Sequence, residues 1–386
     1  MYSKKDVSGS RGSLRVGLVG HMFMGVAHSN AYRNAAIWYD MPAQIIMKAV
    51  CAKDSDESLK AFARKFGWED TEADWRRLVS RPDVDVISIA APGDLHKLIA
   101  VEAARHGKHV LCEKPLANSL EDAVEMLRAV EEAGVRHCCG FSYRSTPATA
   151  FAARLVAEGR LGKIHHVYAR YAQDWPSSPD FPMIWRFDKR TAGSGALGDI
   201  AAHSIDLAHF ITGLTFTEVC ANLQTFIRER RLPDGGKAEV TVDDSAQFLC
   251  SFDNGATGCF EATRMATGRK NHNCIEINGS KGSLYWDFEE QDYLYFYDGS
   301  LPVPHQGFSK INVTHDQHPY GGGPWPQGHG IGYADTFVIE IAHFLRSIVE
   351  GQEFHPDFGD GVKVQRVLAA IEQSAVERRW ISVEEV

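Results

Sequence analysis

The sequence predicts an α/β protein: a doubly wound parallel sheet over the first 145 residues, then an α+β domain rich in antiparallel strands. Three observations carry this reading. Short apolar runs alternate with amphipathic helical stretches up to residue 141, the first run is followed by a glycine-bearing turn and a helix, and after residue 146 alternating strand-like segments are joined by turns such as Asp253-Asn254-Gly255 and Asn278-Gly279.

At 386 residues the chain is longer than one ordinary core supports, so more than one domain is expected. We expect a disordered head over 1–13, a dinucleotide-binding domain over 14–145, and a substrate-binding and oligomerisation domain over 146–386. The 41 basic and 50 acidic residues give a net charge of −9, with no Lys/Arg block of the kind that tracks a phosphate backbone. Nucleic acid is therefore excluded as a partner. No stretch approaches the ~18 consecutive apolar residues of a membrane span, and the polar N-terminus lacks the apolar core of a secretory signal. A cytoplasmic protein is expected, with no membrane partner. The eight cysteines (51, 112, 138, 139, 220, 250, 259 and 274) contain no Cys-x-x-Cys, so neither a disulfide framework nor a zinc site is indicated.

Taken in order, residues 14–19 read as a buried strand, Gly20-His21-Met22-Phe23-Met24-Gly25 as a turn, and 26–36 as a helix. A strand, a tight turn and a helix aim backbone N–H groups and a helix N-terminus at a pyrophosphate. Gly20 and Gly25 fit the first and third glycines of G-x-G-x-x-G. Met22 takes the second place, where a missing side chain normally lets the diphosphate approach. Its side chain must either turn into the helix–sheet contact or push the diphosphate outward over Gly20 and Met24-Gly25. A second strand is read over 44–51, followed by Lys53 and Asp54. Asp54 would take the ribose hydroxyls of NAD, whereas Lys53 would pair with the 2′-phosphate of NADP; without an Arg cluster there, NAD is favoured and NADP stays open.

A helix over 58–66 and a strand over 84–91 lead to Ala91-Pro92-Gly93, whose backbone would lie close to the cofactor. Asp94 is placed to cap the helix over 95–105, and His96 enters it. Val110-Leu111-Cys112-Glu113-Lys114-Pro115-Leu116 is the stretch around which the rest is organised. Pro115 removes a backbone donor and forces the chain out of the sheet, so Lys114 emerges beyond the carboxyl end of a strand, where open α/β sheets bind ligands. A helix over 120–133 with an apolar stripe at Ala123-Val124, Leu127 and Val130 precedes a strand over 136–141, after which Tyr143-Arg144 would face the same crevice.

In the second domain we read a helix over 148–158, strands over 164–171, 217–227, 245–252, 257–262, 274–278 and 284–288, and helices over 337–349 and 362–376. A sheet with too few helices to cover both faces finds a second copy of itself, so a homodimer or homotetramer is expected. The Gly-rich run 193–198 delivers a helix whose first turns hold Asp199, His203 and Asp206. Residues four apart share a helix face, so Asp199 and His203 can address one ligand, and Asp206 could hold the imidazole or cap local structure. Trp175, Arg186 and Lys189 are of the types that bind sugars, by bidentate hydrogen bonds to hydroxyls and aromatic faces against C–H surfaces. The loop over 315–332 carries His315, His318, His329 and Trp325; its spacing matches no familiar metal pattern, so a substrate-covering loop is expected.

Gly17-Leu18-Val19-Gly20 with Gly25, Ala91-Pro92 with His96, Gly107-Lys108-His109 running into Glu113-Lys114-Pro115-Leu116, and Gly198-Asp199 with His203 and Asp206-Leu207 together resemble the Gfo/Idh/MocA family of nicotinamide-dependent sugar and polyol oxidoreductases. The resemblance spans almost the whole chain. It implies an N-terminal Rossmann domain, a C-terminal α+β domain on an open, largely antiparallel sheet, homo-oligomers, and a carbohydrate substrate. Two departures are Met22 and Gly93, the latter where the family commonly has Asn.

From these residues the expected reaction is hydride transfer between a carbohydrate hydroxyl carbon and NAD(P). His203 would be the base, Lys114 would stabilise the alkoxide-like oxygen, and Asp199 would complete the catalytic set. The expected cofactor residues are Gly20, Met22, Phe23, Met24, Lys53 or Asp54, Ala91, Pro92, Gly93, His96, Glu113 and Lys114. The expected sugar residues are Lys114, Tyr143, Arg144, Trp175, Arg186, Lys189, Asp199 and His203. A redox-assisted glycosidase, which oxidises its substrate transiently and ends with no net NADH, would use the same residues. A dinucleotide-sensing protein without chemistry is the third reading.

Overall fold

A computed structural model describes residues 12–53, 57–321, 323 and 325–386, so the expected head and Asp54 lie outside the described residues save for Gly12 and Ser13. The first half runs β1 (Ser13–Val19), α1 (Phe23–Trp38), β2 (Gln44–Cys51), α2 (Glu57–Phe66), β3 (Asp70–Glu72), α3 (Trp75–Ser80), β4 (Val86–Ile89), α4 (His96–Arg105), β5 (His109–Glu113), α5 (Leu120–Glu132) and β6 (His137–Gly140). Its six strands are all parallel, in the order β3-β2-β1-β4-β5-β6. The order reverses between β1 and β4, the switch point at which such sheets open a crevice beyond their strand ends. Val16, Val86, Ile87, Ile89, Val110 and Leu111 are fully buried, as strands covered on both faces require.

Three local expectations are corrected. α1 begins at Phe23, because Gly20 takes φ +105° and completes the turn sooner than the apolar pattern suggests. The buried stripe of α5 is Ala123, Met126 and Val130, with Val124 exposed. Asp94 lies in a short 3-10 turn and does not cap α4, whose N-cap Leu95 has no side-chain bond to offer.

The second half continues with α6 (Pro147–Ala157), β7 (Ile164–Ala172), α7 (Lys189–Ala192), α8 (Ala202–Thr212), β8 (Phe216–Gln224), β9 (Glu229–Arg231), β10 (Lys237–Glu239), β11 (Ser245–Phe252), β12 (Thr257–Thr263), β13 (His272–Gly279), β14 (Gly282–Asp287), β15 (Tyr293–Asp298), β16 (Phe308–Asn312), α9 (Tyr333–Glu350), α10 (Phe358–Glu377) and β17 (Ile381–Ser382). Nine strands form one sheet, β16-β15-β14-β13-β7-β12-β11-β8-β17, antiparallel except where β12 pairs with β7. β13 runs through Gly279, so the turn to β14 is made by Ser280-Lys281 and not by Asn278-Gly279. α6, α8 and α10 pack over the sheet, while Tyr168 of β7 and Leu249 of β11, on either side of Cys259 in β12, stay half-exposed.

α9 returns to the first half. Its Phe337, Val338, Ile341, Phe344 and Leu345 share a core with Ala27, Ala31, Tyr32 and Ala35 of α1. The start of this late helix thus stands beside the turn that opens α1, which brings C-terminal residues to the crevice.

Candidate functional site

The glycines at the crevice are fixed by space. A Cβ on Gly20 would lie 2.3 Å from the Ala90 carbonyl oxygen, and one on Gly25 would lie 2.3 Å from that of Gly20. Both contacts are with backbone and cannot relax, so the turn packs α1 directly against the ends of β1 and β4. Met22 is the N-cap of α1, makes no side-chain cap, and is 73% exposed; Phe23 is 63% exposed. Met22 therefore does not enter the helix–sheet contact, one of the two orientations expected for it. An uncapped helix start at a glycine-only turn, at the switch point of the sheet, fits the diphosphate of a dinucleotide.

The loop after β4 is closed by two side chains. A Cβ on Gly93 would meet Asn118 Oδ1 at 2.4 Å, and Asn118 Nδ2 donates to the Thr191 carbonyl at 3.0 Å. Asn118, four residues past Lys114, thus takes the space a side chain at 93 would need, which accounts for that departure. His96 is buried; its Nε2 faces the Ala91 carbonyl oxygen at 3.0 Å and its Nδ1 faces that of Pro115 at 3.1 Å. The ring ties the loop after β4 to the loop after β5 instead of reaching into the crevice. Glu113 likewise turns inward, where its Oε1 meets His28 Nε2 at 2.8 Å while His28 Nδ1 meets Ser88 Oγ at 2.8 Å. Lys53 is exposed.

Beyond the end of β5, Lys114 Nζ donates to the carbonyl oxygen of Asp199 at 2.7 Å and stands 3.4 Å from its Oδ1. Asp199 sits in a π-helical turn over Leu197–Ala201, directly ahead of α8. Such widened turns disturb the regular ladder of carbonyl bonds and recur at functional sites. From the far side, Arg264 Nη2 donates to Asp199 Oδ2 at 2.8 Å and to the Gly195 carbonyl at 3.0 Å. Burial opposes the Asp199 charge, but Arg264 and then Lys114 outweigh it and hold the carboxyl far below its usual range.

One turn further on, His203 is buried and its Nδ1 has no hydrogen-bond partner. Burial pushes its imidazole well below the ordinary value, Lys114 adds to the effect, and Asp199 works against it. The ring is neutral at pH 7. Tyr143 packs edge-on against it at 4.7 Å between centroids. The Tyr143 hydroxyl meets that of Tyr171 at 2.7 Å, Tyr171 donates to Asn271 Oδ1 at 2.7 Å, and Gln173 Nε2 donates to the same atom at 2.7 Å. Trp175 follows, donating from Nε1 to Gln173 Oε1 at 3.1 Å. Arg186 stacks on Trp185 at 4.3 Å and lies within electrostatic reach of Asp199, with no ion-pair partner among the described residues.

Lys114, Asp199, His203, Tyr143, Trp175 and Arg186 are thus brought together; three residues read with them are not. Arg144 is buried, with Nε and Nη2 on the carboxylate of Asp206 and Nη1 3.2 Å from Asp360 Oδ2. It joins α8 to α10 in the interior, and Asp206 holds this guanidinium, not the His203 ring. Lys189 is exposed and pairs with Glu372 at 3.1 Å. Of the late-loop histidines, His318 packs on Phe151 at 4.8 Å and His329 Nδ1 meets the Pro326 carbonyl. His318 lies against α6, and among the described residues of that loop none makes a hydrogen bond or ion pair with Lys114. Sequence reasoning missed Arg264, Asn271 and Tyr333. Arg264 follows an apolar strand run without any motif of its own, and nothing in spacing separates a buried arginine from a surface one.

A cleft built for a dinucleotide, opening onto an ammonium, a fixed carboxylate and a neutral imidazole, defines an NAD-dependent oxidoreductase. Residues 14–141 match the family model described as the oxidoreductase family, NAD-binding Rossmann fold, and residues 149–285 match the GFO/IDH/MocA C-terminal domain. The chain belongs to the Gfo/Idh/MocA family. It is 40% identical to the levoglucosan dehydrogenase of Pseudarthrobacter phenanthrenivorans over 97% of this chain and 99% of that one. The structure of a levoglucosan dehydrogenase in complex with NADH and levoglucosan superposes with a TM-score of 0.93 at 42% identity, covering 96% of this chain and 99% of the other. An oxidoreductase domain protein from Kribbella flavida gives 0.94 at 48% identity over the same shares. The protein is an NAD-dependent carbohydrate oxidoreductase acting on CH–OH groups.

Proposed function

We propose that the protein oxidises a ring hydroxyl of levoglucosan, or of a closely similar anhydrosugar, with NAD as acceptor. The observation that carries this is Lys114 held on Asp199 beside a buried, neutral His203, in a chain 40% identical to a levoglucosan dehydrogenase over nearly its whole length. His203 takes the proton of the reacting hydroxyl through Nε2, since Nδ1 is walled in. Lys114 Nζ donates to the same oxygen and stabilises the charge that develops as the C–H bond breaks. Bound NAD supplies the hydride acceptor. Asp199 keeps the ammonium aimed, Gln173 and Arg186 bind the remaining hydroxyls, and Trp175 holds Gln173 in place through its Nε1 donor. Gly20, Met22, Phe23, Met24, Ala91, Pro92 and Gly93 line the dinucleotide cleft, and a preference for NAD over NADP calls on Asp54, which lies outside the described residues, in place of Lys53.

The division of labour falls near residue 145, with the cofactor on the first domain and sugar and assembly on the second. Half-exposed Tyr168 and Leu249, in register on either side of β12, support a homo-oligomer through the open face of the large sheet. All eight cysteines are free thiols, which suits a reducing cytoplasm. Initial rates of NADH formation with levoglucosan, glucose and myo-inositol test the substrate. The reading expects levoglucosan to give the highest kcat/KM; preference for another sugar by tenfold or more would overturn it. Light scattering on the purified protein tests the assembly, which a monomer at micromolar concentration would refute.

A further inference from the structure

Tyr333 opens α9 and lies outside both segments matched by the family models. Its ring runs parallel to that of Phe23, at 5.9 Å between centroids and 10° between planes, and Phe23 is the first residue of α1 at the dinucleotide turn. On its other side it meets Phe288 edge-on at 6.2 Å, Phe288 meets Tyr143 at 5.1 Å, and Tyr143 packs on His203. Phe337, one helical turn later, backs the ring at 5.1 Å. A single side chain therefore touches the cofactor turn and adjoins the wall of the sugar pocket.

Its hydroxyl is the unused part. Apart from the helix ladder, Tyr333 joins a hydrogen bond only through its carbonyl oxygen, which accepts from Thr336 Oγ1 at 2.8 Å; the phenol O–H has no partner among the described residues and is not sealed from solvent. Asp199, Tyr143 and Glu113 are all within electrostatic reach of it. A half-buried phenol ordinarily finds a partner, and no group among the described residues supplies one.

We propose that Tyr333 is a specificity residue whose O–H hydrogen-bonds the bound sugar while its ring, seated on Phe23, keeps the cofactor turn against the sugar pocket. This rests on the carbohydrate reading above. A bond made equally in the ground and transition states raises KM when removed and leaves kcat alone. Tyr333→Phe keeps every ring contact and deletes only the hydroxyl. It is expected to raise KM for levoglucosan about 3- to 10-fold, the span of one neutral hydrogen bond, with kcat and NADH affinity within twofold. Calorimetric affinity of levoglucosan for the NADH-loaded enzyme should fall by the same factor. Tyr333→Ala, which also strips the ring from Phe23, should weaken NADH binding as well. An unchanged KM and sugar affinity in Tyr333→Phe would overturn the proposal while leaving the reaction intact. A wild-type enzyme that neither oxidises nor binds levoglucosan, glucose or myo-inositol would overturn the carbohydrate reading and this role with it.

Discussion

Arg264 donates from Nη2 to Oδ2 of Asp199 at 2.8 Å, and it does so from a position 1% exposed at the end of β12. The carboxylate is thereby shared between two cations and cannot close onto Lys114 alone. That arrangement leaves the ammonium with charge to spare for a substrate oxygen.

Arg264→Met frees Asp199 to pair with Lys114. Turnover is expected to fall ~100-fold, the scale of losing one preorganised electrostatic contact, with dinucleotide affinity preserved. Because the half-buried carboxylate loses one charged hydrogen bond but keeps Lys114, the fold should lose about 2 kcal/mol in denaturant unfolding. Arg264→Lys should recover part of the rate; equal rates in Met and wild-type proteins would show that Asp199 needs no second cation.

The pH profile follows from His203. The base must be neutral, and burial and Lys114 lower its folded pKa below the ordinary value of about 6.5, so oxidation should stay flat as pH falls from 8 and decline only below ~6.5. Lys114→Ala and His203→Ala should each lower turnover at least ~100-fold while binding NADH within a fewfold of wild type. Removing the lysine charge raises the imidazole pKa, so the acid limb of the residual Lys114→Ala activity should move to higher pH. A shift to lower pH would show that the limb belongs to another group.

At the dinucleotide turn, Met22 is exposed and Gly20 has no room for a side chain. Met22→Gly should leave NADH affinity unchanged or tighten it, whereas Gly20→Val should abolish binding, both read by NADH fluorescence. A tenfold loss in Met22→Gly would mean the methionine shapes the turn after all.

Arg144 separates structure from chemistry. Its guanidinium bridges Asp206 and Asp360 in the interior, so Arg144→Met should cost about 3–5 kcal/mol of stability, because two buried carboxylates lose their cation. KM for sugar should stay within twofold in the folded fraction. A raised KM without loss of stability would return Arg144 to the sugar pocket.

Much of the fold was legible because the signals were local. The parallel sheet shows in continuous apolar runs, and Pro115 marks where Lys114 leaves it. The three-residue β3 and the aromatic strand β15 escaped, the first too short to show a period and the second rich in tyrosines that read as surface. At the site, Lys114, Asp199 and His203 were readable from motif and helical spacing. Arg144 and Lys189 were misplaced because sequence gives a side chain's type and not its direction; one turned inward to Asp206, the other outward to Glu372. Arg264 and Tyr333 were invisible for a different reason. Each arrives from an element distant in sequence, Tyr333 only because α9 crosses back to pack on α1.

The most direct test of the central claim is where the hydride goes. Levoglucosan deuterated at its ring carbinol carbons is incubated with the wild-type enzyme and NAD, and the cofactor is analysed by mass spectrometry. The account predicts NADH carrying one deuterium, formed in equal amount to the oxidised sugar, and at most about a hundredth of either product with Lys114→Ala or His203→Ala over the same interval. Unlabelled NADH, or sugar consumed with no net NADH, would contradict it.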